Sequence, residues 1–183
     1  MFGVGATLTL AAWNDSEYAA GEFAASVFAT EANPGSGWVS TTEGSPATLA
    51  FSATAMSPGV SHYAYLDVRT TAGTTTGGTI ALSSATTAGT LAEALQYRAV
   101  LIGSGVTCDA AAFSGSPTWV AGGASSYLAG GTMPASPPST ALQAAGGNTL
   151  RYCYDVRVAS GAANSYQGTT GTLTWGFVAT SSS

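Results

Sequence analysis

Alternation of side-chain character with a period of two residues is the feature that most constrains what this chain can fold into. It is clearest in residues 62–70 (HYAYLDVRT) and recurs in residues 150–158 (LRYCYDVRV) and 173–179 (LTWGFVA). This period is that of a β-strand that buries one face. Clusters of Asn, Pro, Gly and Ser, as at residues 33–37 and 56–59, separate such segments and mark turns. Roughly eight to ten short strands of this kind predict an all-β fold, a jelly-roll-like β-sandwich.

The expected elements leave little room for helices. Residues 91–95 (LAEAL) predict one short helix, because two leucines stand four residues apart. Residues 114–147 are dominated by Gly, Ala, Ser and Pro, which predicts long surface loops with one short strand near residues 119–120. The other expected strands cover residues 21–32, 38–40, 48–53, 79–83 and 96–102. The chain is expected to divide into residues 1–12, an N-terminal arm of residues 13–22 and a single domain of residues 23–183.

The charge content excludes several classes of function. Charged residues make up only 7% of the chain, against about 25% in an average soluble domain. The formal net charge is −5, and the four cations are all arginines that are spread along the sequence. Nucleic-acid binding needs clustered Lys and Arg, so it is not expected. The absence of lysine excludes polymers joined by isopeptide bonds, and the absence of an apolar run of about 20 residues predicts no membrane-spanning helix.

The first twelve residues allow two interpretations. Residues 3–12 are uncharged and end in small residues before an acidic segment, as at the end of a secretory signal peptide. They also alternate, with Val4, Ala6, Leu8 and Leu10 on one face, as in a strand with one face to bury. No hairpin partner follows, so this strand is expected to extend from the domain. An apolar strand on a free arm is either an aggregation hazard or a strand that is donated to a neighbour.

The two cysteines, Cys108 and Cys153, are expected to form one disulfide, because an export signal is implied. A buried reduced pair and two unrelated thiols are the alternatives. A zinc site is not expected, since two cysteines and the single histidine, His62, do not supply four ligands.

No constellation of catalytic residues is evident, so an enzyme, a metal site or a cofactor is not expected. His62 shares a strand face with Ala64 and Leu66, which indicates a structural residue, and neither a His-Glu-x-x-His nor a Gly-x-Ser-x-Gly motif occurs. Asp67 and Asp155 are the best-placed carboxylates for glycoside hydrolysis. Arginines alternate with both on their strands, so cross-strand ion pairs are the favoured interpretation.

The aromatic residues allow a binding surface as well as a core. Trp38, Trp119 and Trp175 are candidates for a platform on which sugars stack. Trp175 and Phe177, however, share one strand face and are expected in the core. Trp13 stands at the base of the arm, where it fits an aromatic anchor in a neighbour's groove.

Three segments resemble the TasA/camelysin family in the family's own order. Residues 11–15 (AAWND) followed by Phe23 are similar to its signal-processing junction, although the glycine that follows in the family is absent here. Residues 49–59 are similar to its strand before a Leu-x-Pro-Gly turn, and residues 166–180 resemble its Tyr-Gln-Gly and closing aromatic strand. The spacing of four further residues resembles that of actinobacterial members: Arg98, Cys108, Phe113 and Cys153.

The resemblance implies a secreted, extracellular, non-enzymatic subunit of matrix fibres such as those of a biofilm. Copies would polymerise head to tail without covalent links, the N-terminal strand of one completing the sheet of the next. Two donor segments stay open, namely residues 3–12 and, as in the family, the segment after the processing site (residues 12–23). The expected interface residues are Val4, Ala6, Leu8, Leu10 and Trp13. Matrix polysaccharide or a cell surface is a further candidate partner, and the alternative function is a monomeric adhesin or carbohydrate-binding module that uses loops 114–147.

Overall fold

The structure is a computed structural model that describes residues 24–42, 44–49, 51 and 56–182. The strands in chain order are β1 Thr30–Asn33, β2 His62–Thr70, β3 Gly78–Ala88, β4 Leu95–Ile102, β5 Thr118–Ala121, β6 Leu128–Ala129, β7 Thr140–Leu142, β8 Leu150–Val158 and β9 Thr172–Ser181. Short 3₁₀ helices cover Thr90–Ala94, Ala110–Phe113, Ala144–Gly146 and Asn164–Tyr166. The described residues therefore confirm the predicted all-β fold.

The strands form two antiparallel sheets that pack face to face as a sandwich. The large sheet has the order β1-β2-β8-β4-β5, and β6 also pairs with β4. The small sheet has the order β7-β3-β9. Its two long strands pair along their whole length, with a bulge between Leu82 and Ser84 of β3.

The core lies between the two sheets and follows from the alternation of the long strands. The inner face of β8 is buried at every second position, which are Leu150, Tyr152, Tyr154, Val156 and Val158. Ile80 and Leu82 of β3 close the core from the small sheet. Each large side chain buried in this way contributes about 1.5–3 kcal/mol. A shift of one residue would expose the whole set, so the alternation also fixes the register.

The elements of weaker pattern differ from the expectation. Within residues 21–32, the described strand is only β1, and residues 38–40 contribute a single bridge between Val39 and Ala32. The described part of residues 48–53 lies outside the strands. The expected helix at 91–95 is one of several 3₁₀ helices, whereas the strand at 79–83 continues to Ala88 because its Ser and Thr residues pair with β9.

Cys108 and Cys153 form a disulfide, which confirms the expected pairing. Cys153 is fully buried on the outer face of β8, where Val100 and Phe113 pack around it. The bond therefore fastens the loop between β4 and β5 onto the large sheet. Closing a loop with a sequence separation of 45 residues stabilises the fold by about 4 kcal/mol in the chain-entropy view.

The two ends of the sandwich are distinct. At one end, which we call the arm pole, β2 ends at Thr70, β3 begins at Gly78 and β9 ends at Ser181. At the opposite end, the far pole, β3 ends at Ala88 and β9 begins at Thr172.

The described chain begins at the arm pole, where residues 24–29 are fastened to the domain. The backbone N–H of Val27 donates to Thr75 Oγ1 at 2.9 Å, and the backbone N–H of Thr75 donates to the Val27 carbonyl at 2.9 Å. The ring of Phe28 lies so close to Gly78 that a Cβ atom there would collide with it. The first described residues are therefore held at the arm pole.

Candidate functional site

An apolar cleft of about 810 Å³ runs between the two sheets along strand β9. Its large-sheet wall is formed by Ala32, Leu66, Val68, Leu95, Tyr154 and Val156. Its small-sheet wall is formed by Ile80, Leu173, Trp175, Phe177 and Ala179. Described residues between 41 and 51, together with Met56, form the third wall.

Strand β9 is an edge strand that borders this cleft. It pairs with β3 on one side, and no other strand of the described residues pairs with its second edge. Residues from both faces of β9 line the cleft, since Trp175 points inwards and Thr174 outwards. Successive side chains of a strand point to opposite faces, and Ser84 and Thr86, opposite Gly176 and Thr174 in β3, line the cleft as well. The cleft therefore continues around the edge of β9 towards the outer face of the small sheet. The second row of backbone N–H and C=O groups of β9 therefore borders the cleft.

The inner face of β9 has the character of a core but is only half-buried. The Trp175 ring packs on Tyr154 and Tyr97, with centroid distances of 4.3 Å and 5.4 Å. Phe177 packs in the same way on Tyr152 at 4.6 Å. These aromatic side chains therefore keep apolar surface that a further strand along β9 would cover.

The lining of the cleft is almost free of charge. Glu31 is the one charged residue among the described lining residues, and Arg69 holds it in an ion pair of 2.7 Å. Burial raises the pKa of Tyr154 well above its usual value, and burial likewise raises the pKa of Tyr152 behind the cleft to about 12. Both phenols are therefore neutral at ordinary pH, and the cleft favours an uncharged occupant.

The dimensions of the cleft suit an extended peptide segment. Gly171 and the part of β9 up to Ala179 border it. A strand rises about 3.4 Å per residue, so this wall is about 27 Å long. A strand of about eight residues would span that length, pair with the free edge and cover the half-buried side chains. The site is therefore equipped to bind a strand.

The outer face of the large sheet carries all four arginines, and each guanidinium lies over an aromatic ring. Arg98 pairs with Asp155 at 2.9 Å, and Arg151 pairs with Asp67 at 2.7 Å, which confirms the expected cross-strand ion pairs. The hydrogen bonds that Arg151 donates to Asp67 raise the pKa of the Arg151 guanidinium. The two arginines that alternate with the carboxylates along the sequence are not the partners.

The geometry does not favour a glycoside hydrolase. Asp67 lies opposite Arg151, and Asp155 lies four residues further along β8. At about 3.4 Å per residue, the backbone positions of the two residues are offset by about 14 Å along the strands, beyond the roughly 10 Å at which a carboxylate pair acts on one bond. Each carboxylate is held by its arginine instead.

The other candidate binding residues are dispersed. Trp38 lies under Arg69, with 3.9 Å from the guanidinium carbon to the ring centroid, whereas Trp119 packs near Phe113 and Trp175 lies in the cleft. The three tryptophans therefore do not form one platform. His62 is half-buried at the start of β2, and the part of the chain that the structure describes holds no group of three residues able to bind a metal ion.

The residues predicted to donate a strand are Val4, Ala6, Leu8, Leu10 and Trp13, and all of them lie outside the described residues. Their role stays a prediction. The sequence reasoning missed the complementary feature, which is the free edge of β9 and its cleft. Alternation at residues 173–179 identified the strand and its core face, but it carried no information on how many strands pair with it.

No family model matches the chain, and no curated protein shows significant similarity to it. The likeness to the TasA/camelysin family therefore rests on the sequence motifs and stays a prediction. Within the described ranges, no helix is both long enough and apolar enough to cross a membrane.

Proposed function

We propose that this protein is a secreted structural subunit of an extracellular filament, such as a biofilm-matrix or surface fibre, and not an enzyme. Copies join head to tail and without covalent links, because the N-terminal strand of one copy enters the cleft of the next. The observation that carries the proposal is strand β9. Its second edge has no partner strand among the described residues, and its half-buried aromatic face borders a cleft whose one charged described lining residue, Glu31, is held in an ion pair.

The composition of the arm supports residues 4–10 as the occupant. This segment carries no charge, and its four alternating apolar residues equal in number the inward residues of β9 that line the cleft. The following segment, residues 13–22, carries Asp15, Glu17 and Glu22. Carboxylates are costly to bury without a partner, and the cleft offers no unpaired cation among its described lining residues.

The energetics support a firm joint between copies. Burial of Val4, Leu8 and Leu10 would contribute about 1.5–3 kcal/mol each, and each new ladder hydrogen bond adds about 0.5–1.5 kcal/mol. Association costs about 4–15 kcal/mol in lost freedom, so further subunit contacts would strengthen the filament. A head-to-tail contact does not close on itself, and it therefore produces a linear polymer.

The disulfide supports export, since such bonds persist mainly in oxidising compartments. The low charge content also suits a polymer of identical copies, which would repel one another only weakly.

The test is electron microscopy of the full chain against two matched double variants. Leu8→Asp with Leu10→Asp places charges on the face that enters the cleft, and we expect a folded domain without filaments. Thr7→Asp with Thr9→Asp places the same charges on the opposite face, and we expect filaments. Circular dichroism verifies the fold of each variant.

Two results would contradict the proposal in different ways. Filaments of normal length from Leu8→Asp with Leu10→Asp would exclude residues 4–10 as the donor and favour residues 12–23. Single particles of the unaltered chain at every concentration would exclude the polymer and favour the monomeric adhesin, which glycan binding would then test.

A further inference from the structure

We propose that β9 accepts the donated strand of a neighbouring copy in the antiparallel direction. The inference rests on the proposed function and adds to it the orientation of the joint.

The direction follows from where the arm leaves the domain. Hydrogen bonds between Val27 and Thr75 and the packing of Phe28 on Gly78 fix the chain at the arm pole. In a head-to-tail polymer the arm pole of one copy faces the far pole of the next. The arm therefore enters the neighbour's cleft at the far pole, and its N-terminus points towards that neighbour's arm pole.

Strand β9 runs from Thr172 at the far pole to Ser181 at the arm pole. A donated strand whose N-terminus lies at the arm pole runs the other way, so the pair is antiparallel. All strand pairs of the two described sheets are antiparallel. The donated strand would thus extend the small sheet in the pattern it already has.

A chain's own arm meets a different geometry. It would turn back at its own arm pole, so its N-terminus would point to the far pole and the strand would lie parallel to β9. Parallel pairing is slightly less stable per residue. In an antiparallel fit to its own β9, residues 11–23 would run back along the full cleft, about 27 Å, which 13 residues can span at up to about 3.3 Å each. The chain's own arm therefore competes with that of a neighbour, and the two differ in whether a cross-link forms within one chain or between two.

The alternation fixes the register within each orientation. In the antiparallel case Leu10 lies opposite Leu173, and the four apolar residues of the arm meet the four inward residues of β9 in turn. Thr9 then lies opposite Thr174 on the outer face. In the parallel case, with Val4 opposite Leu173, Thr9 lies opposite Val178.

Mixed disulfide cross-linking separates the two orientations. Thr9→Cys subunits are mixed with Thr174→Cys subunits in one sample and with Val178→Cys subunits in the other, and both are oxidised during assembly. The introduced cysteines are the only free thiols, because the two native cysteines of the chain are bonded to each other. Val178 is 56% exposed, so a poor yield there would not reflect burial.

We expect a covalent dimer in the mixture with Thr174→Cys and no covalent dimer in the mixture with Val178→Cys. Thr172→Cys and Thr180→Cys repeat the comparison two residues along β9, which covers a shift of register. A dimer only with the positions near the arm pole, Val178 or Thr180, would overturn the proposed direction.

The outcomes also separate this inference from the proposed function. Filaments without any dimer at Thr172 or Thr174 would overturn the orientation and leave the polymer intact. An intrachain bond in monomers of Thr9→Cys with Val178→Cys would show that a chain fills its own cleft and would overturn the pairing between copies. Absence of filaments from the unaltered chain would overturn the proposed function itself.

Discussion

The ion pair between Arg98 and Asp155 allows a quantitative test of what holds the outer face of the large sheet. The Asp155 side chain is 0% exposed, and Arg98 Nε donates to it at 2.9 Å. Removing one partner of a buried pair leaves an uncompensated charge, so Arg98→Met should lower the free energy of unfolding by about 3–5 kcal/mol. The pair of Arg69 and Glu31 is the matched control, because its side chains are 34% and 20% exposed, and Arg69→Met should cost only about 0–1 kcal/mol.

The assay is urea unfolding followed by tryptophan fluorescence, with the disulfide intact and the slope of the transition compared among variants. Arg98→Met combined with Asp155→Leu should recover much of the loss, since neither member of the pair is then left buried and alone. Equal losses for Arg98→Met and Arg69→Met, or no recovery in the double variant, would refute the reasoning that burial sets the value of these pairs.

Two further predictions concern the stability of the domain. Replacement of both cysteines, Cys108→Ala with Cys153→Ala, should lower the free energy of unfolding by about 4 kcal/mol, and an unchanged urea midpoint would contradict the structural role of the bond. Burial raises the pKa of Tyr152 to about 12 and also raises the pKa of Tyr97 and Tyr154. A folded-state pKa above the unfolded value means that the stability is present below about pH 10 and is lost as the pH rises towards 12. These three phenols should therefore ionise together with loss of circular dichroism. Tyrosinate absorbance that accounts for all eight tyrosines of the chain without unfolding would disagree.

The long strands could be predicted from sequence because burial of one face imposes a pattern that survives in the residues. Strands β2 and β8 carry bulky and small or charged side chains in alternation, and each coincides with its predicted range. Strands β6 and β7 have only two and three residues, too few for a period to be visible. Their pairing depends on where β4 and β3 place them, and residues of Gly, Ala, Ser and Thr offer little contrast in hydrophobicity.

The two sides of the proposed joint also differ in how far the sequence could predict them. The donor side could be proposed from the sequence, since the alternation of residues 4–10 is local. The acceptor side could not, because a free edge is a property of strand order. The ion pairs show a related limit: alternation predicted pairing across strands, but the register of β2, β8 and β4 decides that Asp67 meets Arg151 and that Asp155 meets Arg98.

In the proposed filament, the disulfide would set how far each copy can stretch under load. When force acts between residues 24–29 and β9, only the residues outside the loop closed by the disulfide can be pulled into an extended chain. The 45-residue separation between Cys108 and Cys153 corresponds to about 150 Å of fully extended chain, and this length stays withheld while the bond is intact. Strands β5, β6 and β7 lie inside the loop. Reduction would therefore make each copy less stable and would also let it extend further before it ruptures. The intact bond thus limits mechanical extension as well as stabilising the fold.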